Sequence, residues 1–173
     1  MDIEAAIKNR RSVRNYLSKK VAISELERIV DMARYAPTSS NSQAWKFQIV
    51  TDDAYLKDIV TFSAGIWKKP PAILAISMDR DIALKRTGKQ ALEETIYYDA
   101  GIAAYAASLE AQALGLGSCI IASFNKKAVA ALLAIEPPLE PMLMLTLGYF
   151  MGEVKMPAKR GLNEVLDMRL AKE

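Results

Sequence analysis

The sequence predicts one domain of mixed helix and strand over residues 1–173, and three observations predict it. The first is composition: a chain 51% apolar and 25% charged has enough core-forming residues to fold and too many to stay disordered. The second is apolar residues at helical spacing over 24–36 and 91–114. The third is four short apolar or alternating runs, at 45–49, 72–78, 118–122 and 142–148, each bounded by turn-forming residues.

The elements follow in order. Residues 2–10 place Ile3, Ala6 and Ile7 on one helical face. Ser24-Glu25-Leu26-Glu27 reads as a capping box, followed by Leu26, Ile29, Val30 and Ala33 on one face. That helix is expected to stop at Ala36, because Pro37 disfavours the α region for the residue before it. After a polar loop, Trp45, Phe47 and Ile49 alternate with Lys46 and Gln48 as a half-buried strand does. Asp52 is placed to cap a short helix carrying Leu56, Ile59 and Val60. Lys69-Pro70-Pro71 breaks the chain, and the continuous apolar run 72–78 reads as a buried strand. The charged stretch 79–89 is expected to be a mobile loop.

Residues 91–114 form the longest expected helix. It is apolar nearly all round between Ala100 and Ala107, so either it is central or a second subunit covers one face. Gly115-Leu116-Gly117 then looks like the opening of a dinucleotide fingerprint. It follows a helix instead of a strand, however, and Ile120 stands where a third glycine belongs, so a helix stop with a tight turn is preferred. A third strand follows over 118–122, and Asn125 can cap a helix bearing Val129, Leu132 and Leu133. Pro137, Pro138 and Pro141 precede a fourth strand, 142–148, and a last amphipathic turn holds Leu162, Val165 and Leu166.

Several function classes drop out. The chain has no histidine and one cysteine, which removes His-based nucleophilic pairs, His metal sites, an intrachain disulfide and any CxxC motif. Cys119 sits in an apolar run, where an inert buried thiol is the better reading, and no metal site is expected. This usage fits a reducing compartment, so a cytoplasmic location is expected. The opening residues lack a secretory pattern. The most apolar stretch, 100–122, carries Glu110 and Gln112 and reads as helix then strand, not as a membrane span. A net charge of +3, spread along the chain, argues against a nucleic-acid or membrane-surface partner.

Two polar stretches stand out. Arg10-Arg11-Ser12-Val13-Arg14 places three guanidiniums within five residues, a good arrangement for a phosphate and a polar ring edge. Pro37-Thr38-Ser39-Ser40-Asn41-Ser42-Gln43-Ala44-Trp45 offers small hydrogen-bonding groups beside an aromatic plane. Each has a plain alternative. Basic residues favour helix C-termini, turn formers fill helix-to-strand connections, and Lys159-Arg160 alone is surface charge. Together the two stretches suggest a cofactor with an anionic tail and a flat polar head.

Taken jointly, these segments resemble the FMN-dependent nitroreductase family. Asp99-Ala100-Gly101-Ile102-Ala103-Ala104, Leu114-Gly115-Leu116-Gly117-Ser118-Cys119 and Leu147-Gly148-Tyr149 match that family's spacing, so the resemblance covers nearly the whole chain in order. It implies an α+β fold: a nitroreductase-like α/β/α sandwich whose small, mainly antiparallel sheet is flanked by helices, in an intertwined homodimer with one FMN in each of two interface clefts. By resemblance, Arg10 and Ser12 address the phosphate and ribityl chain, Arg14 the pyrimidine edge, and Arg11 contributes mainly backbone. Pro37, Thr38, Ser39 and Asn41 line the ring from the other subunit. Ile121, Ala122 and Ser123 bring backbone near the reactive centre, and Lys159 and Arg160 complete the phosphate clamp.

The implied reaction is ping-pong: NADH or NADPH reduces the flavin, and a small nitroaromatic or quinone-type acceptor then takes its place. No side-chain catalytic residue is expected, because the flavin carries the chemistry, which accounts for the missing histidine. Other flavin reactions on the same scaffold, such as dehalogenation or dehydrogenation, and a non-enzymatic FMN-storage role are the alternatives. The chain departs from the common pattern at Ala44, Phe150 and Gly161, where proline is frequent, and at Ala122, where glycine is.

Overall fold

The computed structural model describes residues 2–169. The four apolar runs pair into one antiparallel sheet: β1 (Trp45–Val50), β2 (Ala72–Asp79), β3 (Gly117–Ile121) and β4 (Leu139–Gly148), in the order β1-β2-β4-β3. The register sets Trp45 opposite Met78, Ala75 opposite Met144 and Ser118 opposite Leu147. Strand β2 is central and covered on both faces, which is why its sequence is a continuous apolar run. Leu74, Ile76 and Met78 point to one core with Leu26, Ile29, Ala100 and Ala104; Ile73 and Ala75 point to the other with Leu56, Ile59, Val129 and Met144. The fold is therefore α+β with helices on both sides of a small sheet, as the sequence led one to expect.

The helices are α1 (Ile3–Asn9), α2 (Ile23–Ala33), α3 (Asp53–Thr61), α4 (Arg80–Thr87), α5 (Ile96–Ala113), α6 (Lys126–Leu132) and the short α7 (Leu162–Val165). Asp52 caps α3 and Asn125 caps α6 through their side chains, as expected. Among the described residues no helix is long and apolar enough to cross a membrane.

Four expectations need correction. The stretch 79–89 is not a loop. The Asp79 carboxylate accepts from the backbone N–H groups of Asp81 and Ile82, and Lys85 and Arg86 complement the last turn, so α4 forms despite its charge and buries Ala83. Helix α2 starts at Ile23, one residue before the expected cap. Glu25 accepts from the N–H of Ala22 at 3.0 Å, but Ser24 lies inside the first turn, so only the acidic half of the box forms. The same helix ends at Ala33, because its chain tightens at Tyr35, whose N–H bonds back to Met32. The long helix opens with a π-helical turn, Ala91–Thr95, before α5 begins. In addition, Pro141 lies inside β4, tolerated where the register with β2 shifts between Ile76 and Ser77.

Helix α5 is buried on one face only. Ala100, Ala103, Ala104, Ala107 and Ala111 are buried, whereas Tyr98, Ile102 and Tyr105 form a stripe that the described residues leave exposed. Ile3 and Ile7 of α1 are exposed as well, although α1 packs against α5.

The glycine pair acts as a helix stop. Gly115 has φ +76° and the N–H of Leu116 reaches the carbonyl of Ala111 at 2.8 Å. Gly117 has a separate task. A Cβ there would lie 2.8 Å from the Val13 side chain. That closeness lets residues 12–13 run beside edge strand β3, where Ser12 bridges Ser118 and the N–H of Val13 donates to the Ser118 carbonyl at 2.8 Å. Tyr16 secures the same segment: its buried hydroxyl meets the Val13 carbonyl at 2.5 Å and Thr146 Oγ1 at 2.7 Å, and burial pushes the phenol far above its ordinary pKa. Gly117→Ala is expected to lower stability by about 1–3 kcal/mol and to displace the 10–14 segment. Urea unfolding with parent-like stability would contradict that packing.

Candidate functional site

The basic segment lines a groove of about 680 Å³. It is walled by the end of α1, by residues 10–14, by Tyr105 of α5 and by the chain 154–159. Six lining side chains are cationic, Lys8, Arg10, Arg11, Arg14, Lys155 and Lys159, and none of the lining residues carries a carboxylate. Lys8 is paired with Glu4 outside the groove, and the remaining concentration of cations in a concave surface favours a polyanion.

The three arginines differ in use. The Nη1 of Arg11 donates to the carbonyls of Lys8 at 2.6 Å and Arg10 at 2.9 Å, bracing the C-terminal end of α1. The Nε atoms of Arg10 and Arg11 are buried and find no hydrogen-bond partner among the described residues, where a buried donor is costly to leave unpaired. Arg14 is exposed, and its Cζ lies 5.1 Å from the ring centroid of Trp67.

The structure thus brings Arg10, Arg11, Ser12, Arg14 and Lys159 together. It does not bring Arg160 with them: that side chain reaches the carbonyl of Glu164 at 2.6 Å and faces another hollow. Lys8, Lys155 and Tyr105 join the groove from three separate segments and were not singled out in the sequence; their shared charge and apolar context become informative only once the chain is folded.

The second polar stretch is a tight turn. Ser40, Asn41 and Gln43 hold φ of 52°, 49° and 48°, left-handed values that are costly without glycine. Its anchor is Asp99, buried on α5. One carboxylate accepts from the Ser39 N–H at 3.1 Å, from Ser39 Oγ at 3.3 Å and from Ser42 Oγ at 3.5 Å. Thr38 Oγ1 accepts from the Gln43 N–H, and Thr87 of α4 donates to the Ser39 carbonyl. Pro37 and Asn41 are exposed, Thr38 and Ser39 half-buried. None of residues 37–41 lines the basic groove.

At the end of β3, Ile121 is buried beside Arg14, Trp67 and Thr146, whereas Ala122 and Ser123 are exposed. The Ser123 carbonyl accepts from the Gly65 N–H at 3.0 Å. Cys119 is buried, and among the described residues no group of three or more His, Cys, Asp and Glu side chains is placed to hold a metal ion.

Comparison with known proteins bears on the family and the fold. The model of the Nitroreductase family matches residues 7–92 and 53–149. The chain is 23% identical to Spy0809 of Streptococcus pyogenes, which is assigned as an NAD(P)H nitroreductase, over 94% of this chain and 96% of that one. The crystal structure of a nitroreductase family protein from Streptococcus pneumoniae superposes with a TM-score of 0.88 at 22% identity, covering 97% of this chain and 100% of that one. A protein of Exiguobacterium sibiricum, solved in complex with FMN, superposes with a TM-score of 0.84 at 20% identity, covering 98% of both chains. With the matched segments reaching from α1 to the end of β4, the chain belongs to the nitroreductase family.

Proposed function

We propose that the chain is an FMN-dependent NAD(P)H oxidoreductase that reduces nitroaromatic or quinone-type acceptors in a ping-pong sequence, working as a homodimer with FMN in each of two clefts between the subunits. The observation that carries this reading is the acid-free basic groove with two unpartnered buried arginine donors. These residues fit the group: a phosphate dianion supplies the acceptor that Arg10 Nε lacks. The FMN complex of the Exiguobacterium protein and the NAD(P)H assignment of the streptococcal relative support the same reading.

FMN, when bound, supplies a ring that accepts a hydride from the nucleotide and passes electrons to the acceptor. The chain's own residues bind and orient. Arg10, Ser12 and Lys159 hold the phosphate and ribityl end, and Arg11 fixes the backbone they project from. Arg14, at the far end of the same segment, sets a positive charge where the reduced ring gains negative charge. Pro37, Thr38, Ser39 and Asn41 of the partner subunit cover the ring, shaped by their Asp99. Ile121, Ala122 and Ser123 present backbone at its edge. Arg160 can join the phosphate only by leaving Glu164, which makes Lys159 the stronger of the two clamps.

Two observations support the dimer. Residues 37–41 do not line the groove of their own chain, which fits a ligand that takes one wall from each of two copies. The exposed stripe Tyr98, Ile102 and Tyr105 is continuous with the groove, which Tyr105 also lines, and Met151, Leu162 and Met168 are exposed beyond β4.

Rapid mixing of the FMN-loaded protein with NADH and with NADPH under nitrogen tests the proposal, with bleaching of the flavin as the expected result. Tight flavin with negligible bleaching by either nucleotide would leave an FMN-binding protein without this activity. Arg14→Ala is expected to lower the flavin reduction potential and weaken retention; a redox titration matching the parent would remove Arg14 from that role.

A further inference from the structure

Three segments meet at the outer end of the basic run. Residues 12 and 13 lie beside β3 and lead into Arg14 and Tyr16, the end of β3 carries Ile121, and the connection between α3 and β2 brings Gly65, Ile66, Trp67 and Lys68 against them. That connection is fastened on each side. The Gly65 N–H donates to the Ser123 carbonyl at 3.0 Å, and Lys68 Nζ donates to Asn15 Oδ1 at 2.8 Å. Gly65 has no room for a side chain, since a Cβ would lie 2.9 Å from Ile121 Cγ2. The anchored backbone leaves the indole of Trp67 beside Arg14, with Cζ 5.1 Å from the ring centroid, although Trp67 is 76% exposed. An indole that buries so little of itself contributes little to the core, so packing does not account for it.

A guanidinium held over an aromatic ring by cation–π attraction keeps N–H donors that the ring does not bond. A side chain with many rotamers is thereby restricted while its donors stay available for an in-plane acceptor. We infer that Trp67 is a positioning residue: it holds the Arg14 guanidinium in the orientation that addresses the flavin ring, and so tunes both FMN affinity and flavin potential without belonging to the phosphate clamp. The inference rests on the FMN reading given above.

The test is a double-mutant cycle read by FMN titration of the apoprotein and by redox titration of the loaded protein. Trp67→Leu is expected to weaken FMN binding about two- to fivefold, the range of an exposed cation–π contact, and to lower the potential. Trp67→Phe, which keeps an aromatic face, should fall between Trp67→Leu and the parent. In an Arg14→Ala background, Trp67→Leu should change neither quantity. Equal losses in both backgrounds, or a Trp67→Leu protein matching the parent, would overturn the inference while leaving the flavin reading intact. A parent protein that takes up no FMN would instead overturn that reading, and this inference with it.

Discussion

Arg10→Ala is expected to weaken FMN binding roughly 10- to 100-fold, the loss of one charge-assisted hydrogen bond worth about 1.5–3 kcal/mol. The melting temperature of the ligand-free protein should change little. The contrast with its neighbour makes the expectation specific. Arg11 donates to two backbone carbonyls and braces α1, so Arg11→Ala should cost stability as well as affinity. Arg10 Nε is buried without a partner, so its removal relieves an unsatisfied donor in the free protein and deprives only the ligand. Fluorescence titration of the apoproteins with FMN, beside thermal melts without it, separates the two. An Arg10→Ala protein that binds FMN like the parent would show that the phosphate lies elsewhere.

Asp99→Ala is expected to lower stability by about 3 kcal/mol, because one buried carboxylate is the acceptor for the Ser39 N–H and two serine hydroxyls. For a chain of this length that corresponds to a fall in melting temperature of roughly 6–12 °C. The effect should extend beyond stability. Ser40, Asn41 and Gln43 are held in left-handed conformations that the free turn would leave, and the turn is the proposed cover of the flavin ring. FMN affinity should therefore fall with the melting temperature. Asp99→Asn discriminates further: it keeps the shape, but any amide rotamer sets an NH₂ group among the same donors. Calorimetry showing a parent-like transition for Asp99→Ala would remove the carboxylate as the anchor.

Much of this architecture was legible from local pattern. The strand runs were visible because a doubly covered strand must be apolar throughout, and β2 is. The two polar stretches have ordinary explanations singly, and stood out because they occur together in one chain. What escaped the sequence is non-local or turns on small margins. Asp99 meets Ser39 across 60 residues, so its role could not be read beside its neighbours. Helix α4 was obscured because its charged residues suggested solvent, while the Asp79 cap and buried Ala83 decided the matter. Lys159 and Arg160 looked equivalent as a pair. They lie outside any helix or strand, and one faces the groove while the other reaches Glu164. Trp67 carried no signal until folding set it beside Arg14.

The separation of the basic groove from the serine-rich turn on each polypeptide has a genetic corollary. If every cleft borrows one wall from each copy, a strand of protein crippled at Arg10 and another crippled at Asp99 should rescue one another when co-expressed. Mixed pairs would own one cleft with both defects and one with none, so at an FMN concentration too low to load either variant alone, a culture making both should contain half-loaded, yellow, working molecules.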